Sequence, residues 1–153
     1  MESRTFPLPV EEAFDRVLPL PLEELFVRRY GPIPAVRTTV LEGSVDAWAE
    51  VGQRRVVEFA GPGAMCEELT VVDRPHRFGY VLTEISGPMK SLATRVEGTW
   101  SFDEVGTGVR ITWAWTVHPA GRVGALAMPA FSKLWTGYAR QSLARLEKLL
   151  LEG

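Results

Sequence analysis

The pattern of apolar and polar positions changes period twice along the chain. Met1 to Phe6 is short and extended, which predicts an edge strand. From Pro9 to Leu18, Val10, Phe14, Val17 and Leu18 recur at helical spacing. Pro9 suits a helix start, and Glu11 and Glu12 suit the positive end of the helix dipole. Pro19 stops that helix, and Pro21 opens a second one with Glu23 and Glu24 early and Arg28 and Arg29 late. Gly31 and Pro32 end it. Between residues 36 and 118 the chain is rich in β-branched and aromatic residues. It predicts six strands: Val36 to Leu41, Arg54 to Phe59, Met65 to Val72, Phe78 to Ile85, Thr94 to Phe102 and Val109 to Val117. Gly52, Gly61-Pro62-Gly63, Asp73-Arg74-Pro75, Gly87-Pro88 and Gly106-Thr107-Gly108 separate them. These connections are too short for crossover helices, so sequential strands pair antiparallel as a meander.

Alternation identifies the buried face. Val109, Ile111, Trp113, Trp115 and Val117 share one face of the last strand, as do Val96, Gly98, Trp100 and Phe102 one strand earlier. Phe78, Tyr80 and Leu82 repeat the pattern, and Glu67 falls in line with Leu69 and Val71. A sheet with one apolar face needs a cover. The cover is a helix from about Arg122 to Glu152, with Pro129 at its start or at a kink. Phe131, Leu134, Trp135, Tyr138, Ser142, Leu146 and Leu149 recur along it at three- and four-residue spacing, and Arg140, Arg145, Glu147 and Lys148 fall largely opposite. The fold class is therefore α+β: an antiparallel meander of six to seven strands, two short helices after the first strand, and a long C-terminal helix docked on the sheet.

Composition narrows the function. At 153 residues the chain reads as one domain, 1–153, with no internal repeat or linker. A net charge of −2 leaves no basic excess to neutralise phosphates, so nucleic acid is not an expected partner. The longest weakly polar stretch, Val123 to Phe131, is far below the ~20 apolar residues of a membrane span, and no signal peptide is evident. A cytoplasmic protein without stable membrane insertion is expected, and a homodimer stays open. Cys66, His76 and His118 offer no metal-ligand spacing, so neither a metal nor another cofactor is expected. Ser101 and Ser142 lack the partners of a nucleophilic triad.

Several segments together resemble the START/Bet v 1-like (SRPBCC) superfamily, and within it the polyketide cyclase/dehydrase and lipid-transport group. They are the early Pro-Val-Glu-Glu-Ala-Phe helix, Val71-Val72-Asp73-Arg74-Pro75-His76-Arg77-Phe78, Gly98-Thr99-Trp100-Ser101-Phe102, Gly106-Thr107-Gly108-Val109-Arg110-Ile111-Thr112-Trp113 and the closing helix. The resemblance implies a helix-grip fold, a deep cavity between sheet and C-terminal helix, a hydrophobic small-molecule ligand such as a lipid or polyketide, and no metal or nucleotide. Trp100, Trp113, Trp115, Trp135 and Tyr138 are the aromatic candidates for the cavity wall. Arg55, Glu67, Tyr80 and Ser142 are the polar ones. A buried Glu67 would need Arg55 or a polar ligand group beside it. Binding or carriage of a hydrophobic molecule is the first reading. A cyclase, aromatase or dehydratase with Glu67, Arg55 and Tyr138 moving protons is the second, and a chaperone-activator-like interaction module is the third.

Overall fold

The computed structural model describes residues 1–43 and 46–152. Strand β1 (Glu2–Phe6) leads into helix α1 (Val10–Val17) and the single-turn helix α2 (Leu22–Leu25). The meander follows as β2 (Val36–Leu41), β3 (Arg54–Phe59), β4 (Ala64–Asp73), β5 (Arg77–Thr83), β6 (Ala93–Val105) and β7 (Gly108–Pro119). Helix α3 (Gly121–Glu152) ends it. All seven strands form one antiparallel sheet in the order β1-β7-β6-β5-β4-β3-β2. The first strand thus pairs with the last, leaving β1 and β2 as the edges. The β6–β7 hairpin turns through Gly106 and Thr107, and Gly106 supplies the positive φ that such a two-residue turn demands.

The apolar face of the sheet is buried as its alternation predicts, with one local exception. The β4–β5 register shifts between Leu69 and Val71. A bulge of this kind reverses strand parity. Val72, not Val71, therefore packs on the core. Phe14 of α1 meets the core edge-on, 5.2 Å from Phe102 and 5.9 Å from Phe78.

Helix α3 is continuous through Pro129, which sits inside it rather than at its start. Gly124 allows the first turns to approach closely, because a Cβ there would lie 2.7 Å from the Leu92 carbonyl oxygen. Its buried face runs through Phe131, Trp135, Tyr138, Ala139, Ser142, Leu143, Leu146 and Leu150. Leu134 and Leu149 are only half-buried, so the stripe turns slightly from the one read in the sequence. The far end is fastened by Arg16 of α1, whose guanidinium donates to the Leu149 and Leu150 carbonyls at 3.0 and 2.9 Å. Such cations suit a helix C-terminus, where the last carbonyls lack partners. Among the described residues no helix is long and apolar enough to cross a membrane.

Candidate functional site

Pairing in register brings the large rings together. Trp100 and Trp113 face each other across β6 and β7 and stack at 5.1 Å with planes 8° apart. Phe78, the β5 neighbour of Trp100, stacks on it at 6.2 Å. Helix α3 adds Trp135, 6.0 Å from Trp113, and Tyr138, which stacks on Phe26 at 5.0 Å. Between these rings lies a cavity of about 40 Å³. Phe59, Met65, Glu67, Tyr80, Leu82, Trp100 and Trp113 line it from the sheet. Trp135 and Tyr138 line it from α3, and Leu22, Phe26, Ile33, Pro34, Val36 and Met89 complete the wall. Leu22 and Pro34 are its partly exposed members and mark the side nearest solvent.

The cavity's polar groups are few and mostly committed. Tyr80 accepts a hydrogen bond from Trp113 Nε1 at 2.6 Å. Burial pushes the Tyr80 hydroxyl pKa well up, and the charge of Glu67 adds to the effect, so the phenol keeps its proton. The hydroxyl end of its ring lies over Gly98 of β6, where a Cβ would clash with the ring carbon that carries the hydroxyl. Tyr138 donates to the Pro34 carbonyl at 2.8 Å, and burial raises its pKa as well. Trp135 Nε1 is buried without a hydrogen-bond partner among the described residues.

Glu67 is the charged residue of the wall. It pairs across β3 and β4 with Arg55, and both residues are 4% exposed. Arg55 Nε donates to Glu67 Oε1 at 2.6 Å, and Nη1 donates to the Leu20 carbonyl at 3.2 Å. The guanidinium also lies 4.3 Å from the centre of the Trp48 ring, a cation–π contact. Arg55 does not line the cavity. It lines an outer cleft of about 260 Å³ with Pro19, Pro21, Thr39 and Trp48. The two members of the ion pair thus face different spaces.

The structure gathers Glu67, Tyr80, Trp100, Trp113, Trp135 and Tyr138 around one cavity, and leaves Arg55, Trp115 and Ser142 outside it. Trp115 is half-buried and tilts against Trp113 at 5.2 Å. Ser142 donates to the Tyr138 carbonyl one turn back at 2.8 Å, which spends its hydroxyl on the helix backbone. Met89, Ile33 and Pro34 were not readable as wall residues, because they sit in turn-forming segments without periodicity. Met89 enters the core from a short 3-10 turn, Pro88–Ser91. Trp48 is buried in the connection before β3, with no alternation to announce it.

The remaining chemical candidates lie apart. His118 is exposed, 3.6 Å from Glu97. His76 holds the β4–β5 turn through its backbone, its N–H donating to Asp73 and its carbonyl accepting from Phe102. Burial pushes the Cys66 thiol up, away from the reactive thiolate. Among the described residues no three His, Cys, Asp or Glu side chains are grouped so as to hold a metal.

An antiparallel seven-stranded sheet closed by a long C-terminal helix, with a cavity between them, defines a helix-grip protein of Bet v 1-like fold. The chain belongs to the polyketide cyclase / dehydrase and lipid transport family, which matches it over residues 1–151. No curated protein sequence matches it. Solved structures agree on the fold. The crystal structure of ginseng major latex-like protein 151 from Panax ginseng has a TM-score of 0.71 at 9% identity, covering 98% of this chain and 95% of that one. That of TTHA0849 from Thermus thermophilus has a TM-score of 0.67 at 22% identity, covering 99% and 95%. That of Ara h 8.0201 has a TM-score of 0.58 at 14% identity, covering 94% and 95%.

Proposed function

We propose that this protein binds an apolar, largely aromatic small molecule between the sheet and α3, with the aromatic walls of Trp100, Trp113 and Trp135 as its contact surface. The observation that carries this reading is the cavity itself. It is an apolar, ring-lined space with few convergent polar groups, set between the sheet and α3. A space of about 40 Å³ holds only a few water molecules, since each needs roughly 10–15 Å³. A ligand of several rings therefore enters by displacing wall residues. Met65 and Met89 are suited to that, because unbranched thioethers repack at low energetic cost. Leu22 and Pro34 mark the entry side.

The test is a titration with an environment-sensitive aromatic dye, followed through dye emission and tryptophan quenching. The expected result is saturable binding at one site per chain, with displacement by an uncharged polyphenol. Binding without saturation, or without displacement, would mean that the dye reports exposed apolar surface. Val123 and Leu126 of α3, 71% and 84% exposed, would then be the place to look.

Glu67 supports a second reading, acid–base chemistry on a bound ligand. It is the one carboxylate in the wall, and the protonated Tyr80 lines the same space. A base and a proton donor around a shaped apolar space are the minimum for a cyclisation or dehydration. The two readings share the site, and turnover of a bound polyketide-like ligand would separate them.

A further inference from the structure

The cavity's charge pattern deepens the binding reading and rests on it. Among the described residues that line the cavity, Glu67 is the one that carries charge, and none is cationic. The cation that balances Glu67 lies behind it. Arg55 is engaged by Glu67 Oε1, the Leu20 carbonyl and the Trp48 ring, and it faces the outer cleft. An anionic head group entering the cavity would meet a carboxylate of like sign, with the balancing cation set behind it and felt at Tyr80 more weakly than Glu67 is, in surroundings where charges interact strongly. Burying such a group without a partner is unfavourable.

Beyond the Tyr80 hydroxyl, which accepts from Trp113 and keeps its own O–H free to donate, two polar groups in the same wall have unmet hydrogen-bonding capacity among the described residues. Trp135 Nε1 is a buried donor with no partner among the described residues. A neutral indole can only donate, so its natural complement is an acceptor such as a carbonyl or ether oxygen. The Glu67 carboxylate can only accept, and one of its oxygens is already engaged by Arg55. Its complement is a hydroxyl or an N–H.

We infer that the cavity selects uncharged ligands that carry a hydroxyl or N–H donor toward Glu67 and an acceptor oxygen toward Trp135, and that it rejects carboxylates, free fatty acids included. Phenols and hydroxyketones of two or more fused rings fit this chemistry.

The experiment compares three probes on one naphthalene frame at neutral pH: 2-naphthol, 2-methoxynaphthalene and 2-naphthoate. Affinity is read by calorimetry on the intact chain. 2-Naphthol should bind at least roughly tenfold more tightly than 2-naphthoate, the effect of a like charge at close range. It should also exceed the methoxy compound by roughly tenfold to a hundredfold, the worth of one hydrogen bond to a charged acceptor. Naphthoate binding as well as naphthol would overturn the inference and leave the binding reading standing. Equal binding of naphthol and its methyl ether would overturn the donor requirement. If none of the three binds, the binding reading fails and the inference with it.

A Glu67→Gln variant supplies the control. With the carboxylate gone, the preference against naphthoate should shrink severalfold, leaving the cost of burying the anion itself. If that variant does not fold, the paired variant Arg55→Met with Glu67→Leu removes both charges, and the like-charge part of the discrimination should be lost in the same way. Retention of the full preference in either variant would show that it does not come from Glu67.

Discussion

A chain truncated after Ala130 is expected to lose its cooperative unfolding transition. The deleted segment carries Phe131, Trp135, Tyr138, Ala139, Leu143, Leu146 and Leu150, all buried against the sheet. Truncating just one such large side chain to Ala costs about 2–5 kcal/mol. Removing all of them exceeds the whole stability of a domain of this size, about 5–15 kcal/mol. The sheet's apolar face would also be left to water, and its edge strand β2 would lose the Tyr138 hydrogen bond that holds the preceding segment at Pro34. Thermal unfolding by near-ultraviolet circular dichroism is the readout. A cooperative melt near the parent's midpoint would mean that α3 is not the cover.

The second large effect is expected at the buried ion pair. Replacing Arg55 by Met should destabilise the protein by about 3–5 kcal/mol, because it leaves the Glu67 carboxylate buried without its counter-charge. Glu67→Leu should cost about as much, by stranding the guanidinium against Trp48. The double variant should recover most of the loss, since an apolar pair of similar volume is often as stable as the ion pair it replaces. Denaturant unfolding of the four proteins forms a double-mutant cycle. Losses below about 1 kcal/mol in both single variants, the range of exposed pairs, would contradict a buried pair at this position. Such an outcome would also remove the reason for placing the cation away from the cavity.

The fold was legible where one physical pattern ran unbroken. Alternation from β5 to β7 and the helical stripe of α3 each encode a buried face, and short turns between strands leave antiparallel pairing as the remaining arrangement. The pattern misled where a single residue breaks period. The bulge after Leu69 exchanges Val71 for Val72 in the core, and nothing in the local sequence marks it. Ser142 and Trp115 sit on the correct faces, but a face is wider than a cavity. Ser142 meets its own helix backbone, and Trp115 lies beyond Trp113 toward the half-exposed end of β7. The sequence left open whether Arg55 and Glu67 point inward, though a buried Glu67 was expected to seek Arg55. Their division between two spaces was not legible, because it depends on the packing of Trp48 and the Leu20 carbonyl, both from connections without periodicity. The contribution of Phe26, Ile33, Pro34 and Met89 to the wall was hidden for the same reason.

Whether a ligand occupies the space between the sheet and α3 is answered most directly by intermolecular nuclear Overhauser effects between bound 2-naphthol and the protein. The predicted result is a set of contacts to the Trp100, Trp113 and Trp135 indole protons and to the methyl groups of Met65 and Met89, all of which line the cavity. Contacts confined to Val123 and Leu126, at the exposed start of α3, with none to those five residues, would contradict it.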